Sequence, residues 1–181
     1  MNRESGTIDL DRVEIRDFRP EDKSAVQRLY DEGLLVGQIP ANDTAADIEN
    51  IVEAYLEPER AHFWIAEYED QVLGMVGVAE DEQDVAEIRR LRVDPRWQGK
   101  GIEGKLMETA LGFCRHHHYL KVVLDTHMQP GSAIALFDRF AFQHHRTRAA
   151  HGKETLEFFL DLYREPRLEN DEPSGGNNSD R

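Results

Sequence analysis

The order of three predicted elements constrains the fold of this chain more than any other feature of its sequence. An alternating strand pattern at 85–93 is followed by an amphipathic helix at 101–116 and a short apolar strand at 121–126. Two strands on either side of a helix are joined by a crossover, which makes them a parallel pair. Because two strand-like segments, 62–68 and 72–80, precede this unit in hairpin style, we expect the pair to lie in a mixed sheet.

The remaining segments complete one α/β (α+β) domain. The patterns predict a first strand at 12–18, helices at 20–33, 43–56 and 132–140, and a last half-buried strand at 155–162. The apolar connection 33–41 is expected to pack inside the protein, with the rim of a substrate pocket as the alternative. We divide the chain into an N-terminal extension at 1–11, the domain at 12–163 and a disordered acidic tail at 164–181.

Composition excludes several classes of protein. The 181 residues carry 22 Lys and Arg against 36 Asp and Glu, a formal charge of −14, which repels a polyphosphate backbone and argues against a nucleic-acid partner. No apolar run approaches the roughly 20 residues needed to cross a bilayer, so we expect no membrane partner. The single cysteine, Cys114, cannot form an internal disulfide and is expected to be buried in its helix, so the setting expected is the reducing cytoplasm.

One segment, residues 89–105, opposes the overall charge. It carries six basic and two acidic side chains: Arg89, Arg90, Arg92, Arg96, Lys100 and Lys105, with Asp94 and Glu103. The segment either holds an anionic ligand or forms a solvated, charged strand edge, and charge alone does not decide between the two.

Glycines lie where this strand leads into the helix. A helix N-terminus offers unpaired N–H groups, and glycines let a phosphate approach the backbone. Gly99, Gly101 and Gly104 match a dinucleotide-binding pattern, with Asp125 about 20 residues further on, so an NAD(P)-binding oxidoreductase is one interpretation. Five residues separate the strand from the first glycine, and the strand is rich in arginine, which both count against it.

A second interpretation is more specific. The run 87–111, EIRRLRVDPRWQGKGIEGKLMETAL, resembles the signature of the GNAT superfamily of acetyl-CoA-dependent N-acetyltransferases, with Gln98 and Gly101 on its pattern. The run 125–143, DTHMQPGSAIALFDRFAFQ, is similar to the second landmark of that family. The resemblance implies a mixed, mostly antiparallel central sheet of six to seven strands, with a splayed parallel pair and about four flanking helices.

The resemblance also implies a cofactor and its binding residues. The cofactor is acetyl-CoA, and the reaction is transfer of its acetyl group to a primary amine that attacks the thioester directly. The main chain of Leu91, Arg92 and Val93 would pair with the pantetheine arm, and Ala133 and Phe137 would flank the thioester. The pyrophosphate would be held by the loop and first helical turn: Gln98, Gly99, Lys100, Gly101, Ile102, Glu103 and Gly104.

The chemistry needs a base, because an acceptor amine is protonated near neutral pH. Glu87 matches a position where some members of the superfamily carry a catalytic glutamate. The alternative is that Glu87 is a solvated strand residue. Glu80, Glu82 and Asp84 are the nearby acids that could act as the base in its place.

Four residues depart from the pattern of the superfamily, and one of them is Pro130, which replaces a frequent Asn. Glu103 replaces a Gly or Ala near the expected phosphate, and Ala141 replaces a Gly before Phe142. Phe137 replaces the tyrosine that protonates the departing thiolate in many members, which leaves that proton to a bound water. A non-catalytic acyl-CoA-binding or regulatory module is therefore a further alternative.

The sequence also bears on whether the protein binds a metal and on which amine accepts the acetyl group. The histidines at 116–118 are consecutive and lack the spacing of metal ligands on a helix, so no metal is expected. The acidic composition favours a cationic acceptor, such as a polyamine, an aminoglycoside or a protein lysine. Because members of the superfamily often dimerise, the resemblance also allows a homodimer.

Overall fold

The computed structural model describes residues 8–32, 43–126, 132–150 and 153–163. Its strands are β1 (Glu14–Asp17), β2 (His62–Tyr68), β3 (Gln71–Glu82), β4 (Val85–Val93), β5 (Lys121–Thr126), β6 (Gln143–Ala150) and β7 (Lys153–Asp161). Its helices are α1 (Lys23–Glu32), α2 (Ala46–Glu49), α3 (Ile102–His116) and α4 (Ser132–Arg139). Short 3₁₀ turns cover Leu10–Arg12 and Pro20–Asp22, and a π-helical turn covers Val52–Leu56.

The strands form one seven-stranded sheet in the order β1-β2-β3-β4-β5-β7-β6. All neighbours run antiparallel except β4 and β5, which are joined by the α3 crossover and run parallel. The predicted mixed sheet with one parallel pair is therefore confirmed.

The strand β6 was not predicted from the sequence. Its residues read QHHRTRAA, and the side chains described in it are exposed, so no apolar alternation marks it as a strand. Backbone pairing with β7 forms it, from Gln143 opposite Phe159 to Ala150 opposite Lys153. A partner strand thus decides this element, which hydrophobic patterning does not.

Two apolar cores lie against the sheet. One contains α3 and α4 and includes the buried residues Ile102, Leu106 and Met107; the other contains α1 and the segment 46–56 and includes Leu29 and Tyr55. The predicted burial of Cys114 is confirmed at 0% exposure, and burial raises the pKa of its thiol to about 12. The thiol is therefore unreactive at neutral pH.

The single helix predicted at 43–56 is wrong in its middle. Asn50 leaves the helical conformation, with φ −127° and ψ 56°, and ends α2. The π-helical turn that follows shifts the phase of the apolar stripe. Tyr55 is consequently fully buried, whereas Val52, predicted on the same stripe, is 48% exposed. The connection 33–41 lies outside the described residues.

The turn at the C-terminus of α4 shows why the family pattern has glycine at the position of Ala141. The N–H of Ala141 donates to the carbonyl oxygen of Asp138 at 2.9 Å, and the N–H of Phe142 donates to that of Phe137 at 3.0 Å. This turn gives Ala141 a φ of +61°, a left-handed conformation that strongly favours glycine.

We expect Ala141→Gly to stabilise the protein by about 0.5–1 kcal/mol, because relief of the left-handed strain exceeds the entropy that glycine gains in the unfolded chain. Urea unfolding measures the change. The matched control is Ala135→Gly, at an exposed position within α4. It should destabilise by about 1 kcal/mol. Equal destabilisation by Ala141→Gly and Ala135→Gly would contradict the claim that the backbone at Ala141 is strained.

Candidate active site

A β-bulge interrupts β4 at its centre. Gly77 of β3 lies opposite Arg89, and Met75 lies opposite Arg92, so two residues of β4 face the single residue Val76. The extra residue is accommodated at Arg90, whose φ is +55°. Bulges bend a strand and redirect its side chains, and they are common beside active sites.

Two carboxylates hold the bulged residue Arg90. Its guanidinium donates to Asp43 at 2.5 and 2.9 Å and to Asp47 at 2.9 and 2.6 Å. These hydrogen bonds hold the pKa of Asp43 down at about 2. Asp43 is the first residue of the helix predicted at 43–56, and it also accepts a hydrogen bond from the N–H of Ala45 at 3.0 Å.

The parallel pair separates just before the bulge. Strand β4 pairs with β5 only from Val85 opposite Lys121 to Glu87 opposite Val123. Strand β5 meanwhile pairs with β7 along its whole length. In the described part of the chain, no strand pairs with β4 on the β5 side beyond Glu87, so residues 88–93 border a fork into which an extended ligand could add as a strand.

Glu87 lies at the point where this fork opens. Its carboxylate accepts a hydrogen bond from Nε of Arg89 at 2.5 Å, and its side chain is 22% exposed. Burial raises the pKa of Glu87, and the opposing effect of Arg89 does not cancel it. A carboxylate with a raised pKa is suited to accept a proton near neutral pH.

The substitutes for Glu87 lie at the same end of β4 but closer to the β3–β4 turn, with Glu80 opposite Ala86 and Glu82 opposite Val85. Glu80 and Asp84 both bind the guanidinium of Arg60, at 2.5 and 3.2 Å, beside the β3–β4 turn. Glu82 is exposed on the same hairpin. The position of Glu87 at the fork therefore distinguishes it from the other three acids.

Asp94 anchors the loop that leads from β4 to α3. It is 1% exposed and accepts hydrogen bonds from the backbone N–H of Arg96 at 3.0 Å, from Nε and Nη2 of Arg96 at 3.0 and 2.8 Å, and from Nη1 of Arg28 at 2.8 Å. The hydrogen bonds from Arg96, with that from Arg28, hold the pKa of Asp94 down at about 2. This carboxylate fixes the first turn of the loop.

The end of the loop is shaped by glycines and by Glu103. Gly99 and Gly101 have positive φ values of 71° and 96°. The carboxylate of Glu103 is buried and turns back to accept the N–H of Gly99 at 2.8 Å. Glu103 therefore serves as an internal support for the loop, although it replaces the small residue of the family pattern.

Carboxylates of the folded protein neutralise most of the basic side chains in the segment 89–105. Arg89 pairs with Glu87, Arg90 with Asp43 and Asp47, and Arg96 with Asp94. The ammonium group of Lys105 donates to the carbonyl oxygen of Val13 at 2.9 Å. Within the described residues, Arg92 and Lys100 are the basic side chains of this segment for which the structure gives no hydrogen bond or ion pair.

Comparison with known proteins identifies the family. The model of the acetyltransferase (GNAT) family matches residues 25–142, more than half of the chain and all of the fork and loop. This chain belongs to the GNAT family. The membership confirms the resemblance inferred from the sequence.

Curated relatives are about one third identical to this chain over the aligned segment. N-acetylaspartate synthetase of Xenopus tropicalis is 34% identical over 99 residues, covering 54% of this chain and 36% of the relative. Human N-acetyltransferase 8 is 34% identical over 102 residues, covering 54% and 45%. The match thus spans less than half the length of either relative.

Solved structures confirm the GNAT fold. The structure of yncA from Salmonella typhimurium, solved with its cofactor acetyl-CoA, superimposes with a TM-score of 0.72 at 19% identity, covering 85% of this chain and 96% of the other. Ard1 from Thermoplasma volcanium gives 0.70 at 20% identity, covering 84% and 99%. The dinucleotide-binding interpretation is wrong, because its parallel, doubly wound sheet differs from the mostly antiparallel GNAT sheet.

Two residues predicted near the thioester lie in the core instead of on an open surface. Ala133 and Phe137 are 3% and 5% exposed. The ring of Phe137 packs at 5.0 Å from that of Phe158 and at 6.1 Å from that of Phe142. The phenylalanine at this position therefore contributes to packing of α4 against the sheet.

The described residues contain no group of three or more His, Cys, Asp or Glu side chains arranged to hold a metal ion. Among the same residues, no helix combines the length and the apolar character that a bilayer span requires.

We expect the Asp94 anchor to make stability depend on pH. Because folding lowers the pKa of Asp94 from 3.8 to about 2, its contribution is complete above pH 5 and is lost as the pH falls toward 2. Asp94→Asn should cost about 1–3 kcal/mol at pH 7 and flatten the unfolding free energy between pH 5 and 2. Urea unfolding at several pH values measures both effects. The control Asp138→Asn, at an exposed position, should leave the pH dependence of the unfolding free energy unchanged. If Asp94→Asn lowered the unfolding free energy equally at every pH, the proposed role of the Asp94 carboxylate would be contradicted.

Proposed function

We propose that this chain transfers an acetyl group from acetyl-CoA to a primary amine. The observation that carries the proposal is the fork between β4 and β5, which opens at Glu87 and leads to a glycine loop at the N-terminus of α3. The names of its curated relatives, N-acetylaspartate synthetase and N-acetyltransferase 8, support nitrogen as the atom that accepts the acetyl group.

The loop fits a pyrophosphate. The N–H of Gly99 donates to Glu103, and in this proposal the other backbone N–H groups at the N-terminus of α3, where the helix dipole favours an anion, bind the pyrophosphate. A Cβ built at Gly99 would meet no atom within 4 Å, so the space in front of this residue is open. In this proposal the backbone of residues 98–104 holds the pyrophosphate, and the exposed side chain of Lys100 adds a positive charge.

The free edge of β4 fits the pantetheine arm. The main-chain groups of Leu91, Arg92 and Val93 lie beyond the last β4–β5 pair and can bond to an extended amide chain. In this proposal the buried Ala133 and Phe137 support the thioester end of the site from the core beneath α4. Bound acetyl-CoA supplies a thioester carbonyl carbon that an amine can attack.

Glu87 serves as the general base. An acceptor amine attacks only after it loses a proton, and the carboxylate of Glu87 accepts that proton directly or through a water. Burial prepares Glu87 for this role by raising its pKa. The hydrogen bond from Arg89 fixes the orientation of the carboxylate. Since Phe137 has no proton to donate, water protonates the thiolate.

The setting completes the proposal. A reducing cytoplasm is supported by the single, buried Cys114. The catalytic domain is residues 12–163, with 1–11 as an extension, although Leu10 packs against Gly101 of the loop. Association into a homodimer stays a prediction.

Thermal unfolding with three ligands tests the cofactor. Acetyl-CoA and coenzyme A at about 100 times Kd should each stabilise the protein by about 2.7 kcal/mol, whereas NADH should not. The shift in Tm, measured side by side for the three ligands, gives the result. If acetyl-CoA gave no shift, the cofactor assignment would fail; stabilisation without turnover on any amine would indicate a non-catalytic acyl-CoA-binding module.

Glu87→Gln tests the base. We expect kcat/KM to fall by about 10²-fold or more, because glutamine cannot accept the proton. The wild-type rate should rise with pH as the raised pKa of Glu87 is passed, and the variant should lack this limb. The control is Glu82→Gln, an exposed acid on the same hairpin, which should keep both the rate and the limb. Loss of activity in the control alone would reassign the base to Glu82.

A further inference from the structure

Arg92, beside the proposed acetyl-transfer site, forms no ion pair with any residue that the structure describes. The bulge directs Arg90 and Arg92 to the α1 side of the sheet, where their guanidinium carbons lie 5.2 and 5.6 Å from the centroid of the Tyr30 ring. Leu91 and Val93, which alternate with them, pack with the core on the α3 side. The two arginines thus share one face of β4.

The neighbouring arginines are neutralised and Arg92 is not. Glu87 pairs with Arg89, and Asp43 and Asp47 together bind Arg90. Arg92 has no ion pair with any described residue, and its Nε is buried without a hydrogen-bond partner among them.

This arrangement is unfavourable unless a ligand completes it. Burial, together with the like charge of Arg90, lowers the pKa of Arg92, which reflects the cost of its desolvated charge. The ring of Tyr30 offsets part of this cost but accepts no N–H bond in the way an oxygen does. Buried donors without partners are rare in folded proteins and call for an explanation. A planar guanidinium binds a carboxylate through two parallel hydrogen bonds, which is the partner that Arg92 lacks.

Arg92 lies on the same face of β4 as the groups that surround the proposed base. Arg89 donates to Glu87, and Arg90 binds Asp47, whose carboxylate also accepts the hydroxyl of Tyr55 at 2.5 Å. Four residues lie between Glu87 and Arg92, and the bulge at Arg90 makes the distance between their Cα atoms shorter than the roughly 16 Å of five extended steps. A molecule whose carboxylate bound Arg92 would therefore lie on the face of β4 that also carries Glu87.

We propose that the acetyl acceptor is an amine that also carries a carboxylate, as an amino acid does, and that the Arg92 guanidinium binds that carboxylate. The inference rests on the proposed acetyl transfer and names its substrate class. It replaces the cationic acceptor expected from composition, because the local charge at Arg92 opposes the charge of the whole molecule.

A panel of matched acceptors tests the substrate class in the wild-type protein. Each L-amino acid is compared with its own amide, and lysine and ornithine with the diamines left by removal of their carboxyl groups, at saturating acetyl-CoA. We expect at least one amino acid to exceed its matched amide by tenfold or more in kcat/KM. If amides and diamines were acetylated as well as the acids, the proposal would be overturned while the acetyl transfer itself would stand.

Substitution of Arg92 tests the residue. Arg92→Gln should reduce the ratio of kcat/KM for the amino acid to that for its amide toward one, mainly by raising KM for the acid. Arg92→Lys should recover part of this ratio, because lysine keeps the positive charge but cannot form the two parallel hydrogen bonds of the guanidinium. The Tm shift with acetyl-CoA should stay as in the wild type. Arg115→Gln, at an exposed position in the last turn of α3, is the matched control and should keep the ratio. An unchanged ratio in Arg92→Gln would overturn the assignment.

A binding measurement separates this proposal from the proposed function. With coenzyme A present, N-acetyl-L-amino acids carry the carboxylate without needing turnover, and at least one should raise the Tm of the wild type more than its amide does. The wild-type comparison needs no folded variant and stands if Arg92→Gln is unstable. Coenzyme A binding without any such difference would overturn the carboxylate site; failure of coenzyme A itself to bind would refute the proposed function instead.

Discussion

In the central strand β4, Arg90 has a backbone conformation that residues other than glycine rarely adopt. Its left-handed φ of +55° is supported by hydrogen bonds to Asp43 and Asp47. Each residue in this region of φ costs of order 1–3 kcal/mol, and charge-assisted hydrogen bonds are strong enough to offset that cost. The bulge that results sets which side chains of β4 face α1, and hence where Glu87, Arg89 and Arg92 lie. The geometry of the site therefore depends on two carboxylates from another part of the chain.

The sheet and the loop divide the binding of a nucleotide-bearing cofactor between them. The fork presents an unpaired strand edge, and the loop presents N–H groups at a helix N-terminus. Buried acids at both ends of the loop, Asp94 and Glu103, bond to its own backbone. Such internal support holds the loop in shape before a ligand arrives, which lowers the entropy cost of binding.

Net charge is a poor guide to this site. The chain carries a formal charge of −14, yet its acids are placed to neutralise arginines individually. Arg89, Arg90 and Arg96 each have a carboxylate partner, and Arg92 has none among the described residues. Electrostatic recognition depends on the charges within a few ångströms of a ligand, because more distant exposed charges are screened by solvent and salt.

The sequence by itself determined the secondary structure of the central unit and the family. The bounds of β2, β4 and β5 follow from local hydrophobic patterning, and the glycine loop follows from the backbone freedom of residues such as Gly101. Tertiary structure alone decided the rest. Strand β6 exists because β7 pairs with it, the stripe at 43–56 shifts at Asn50, and the partners of Arg90 lie more than 40 residues away along the chain. Patterning reports the local periodicity of a segment, whereas the pairing of distant charges depends on which segments the fold brings into contact.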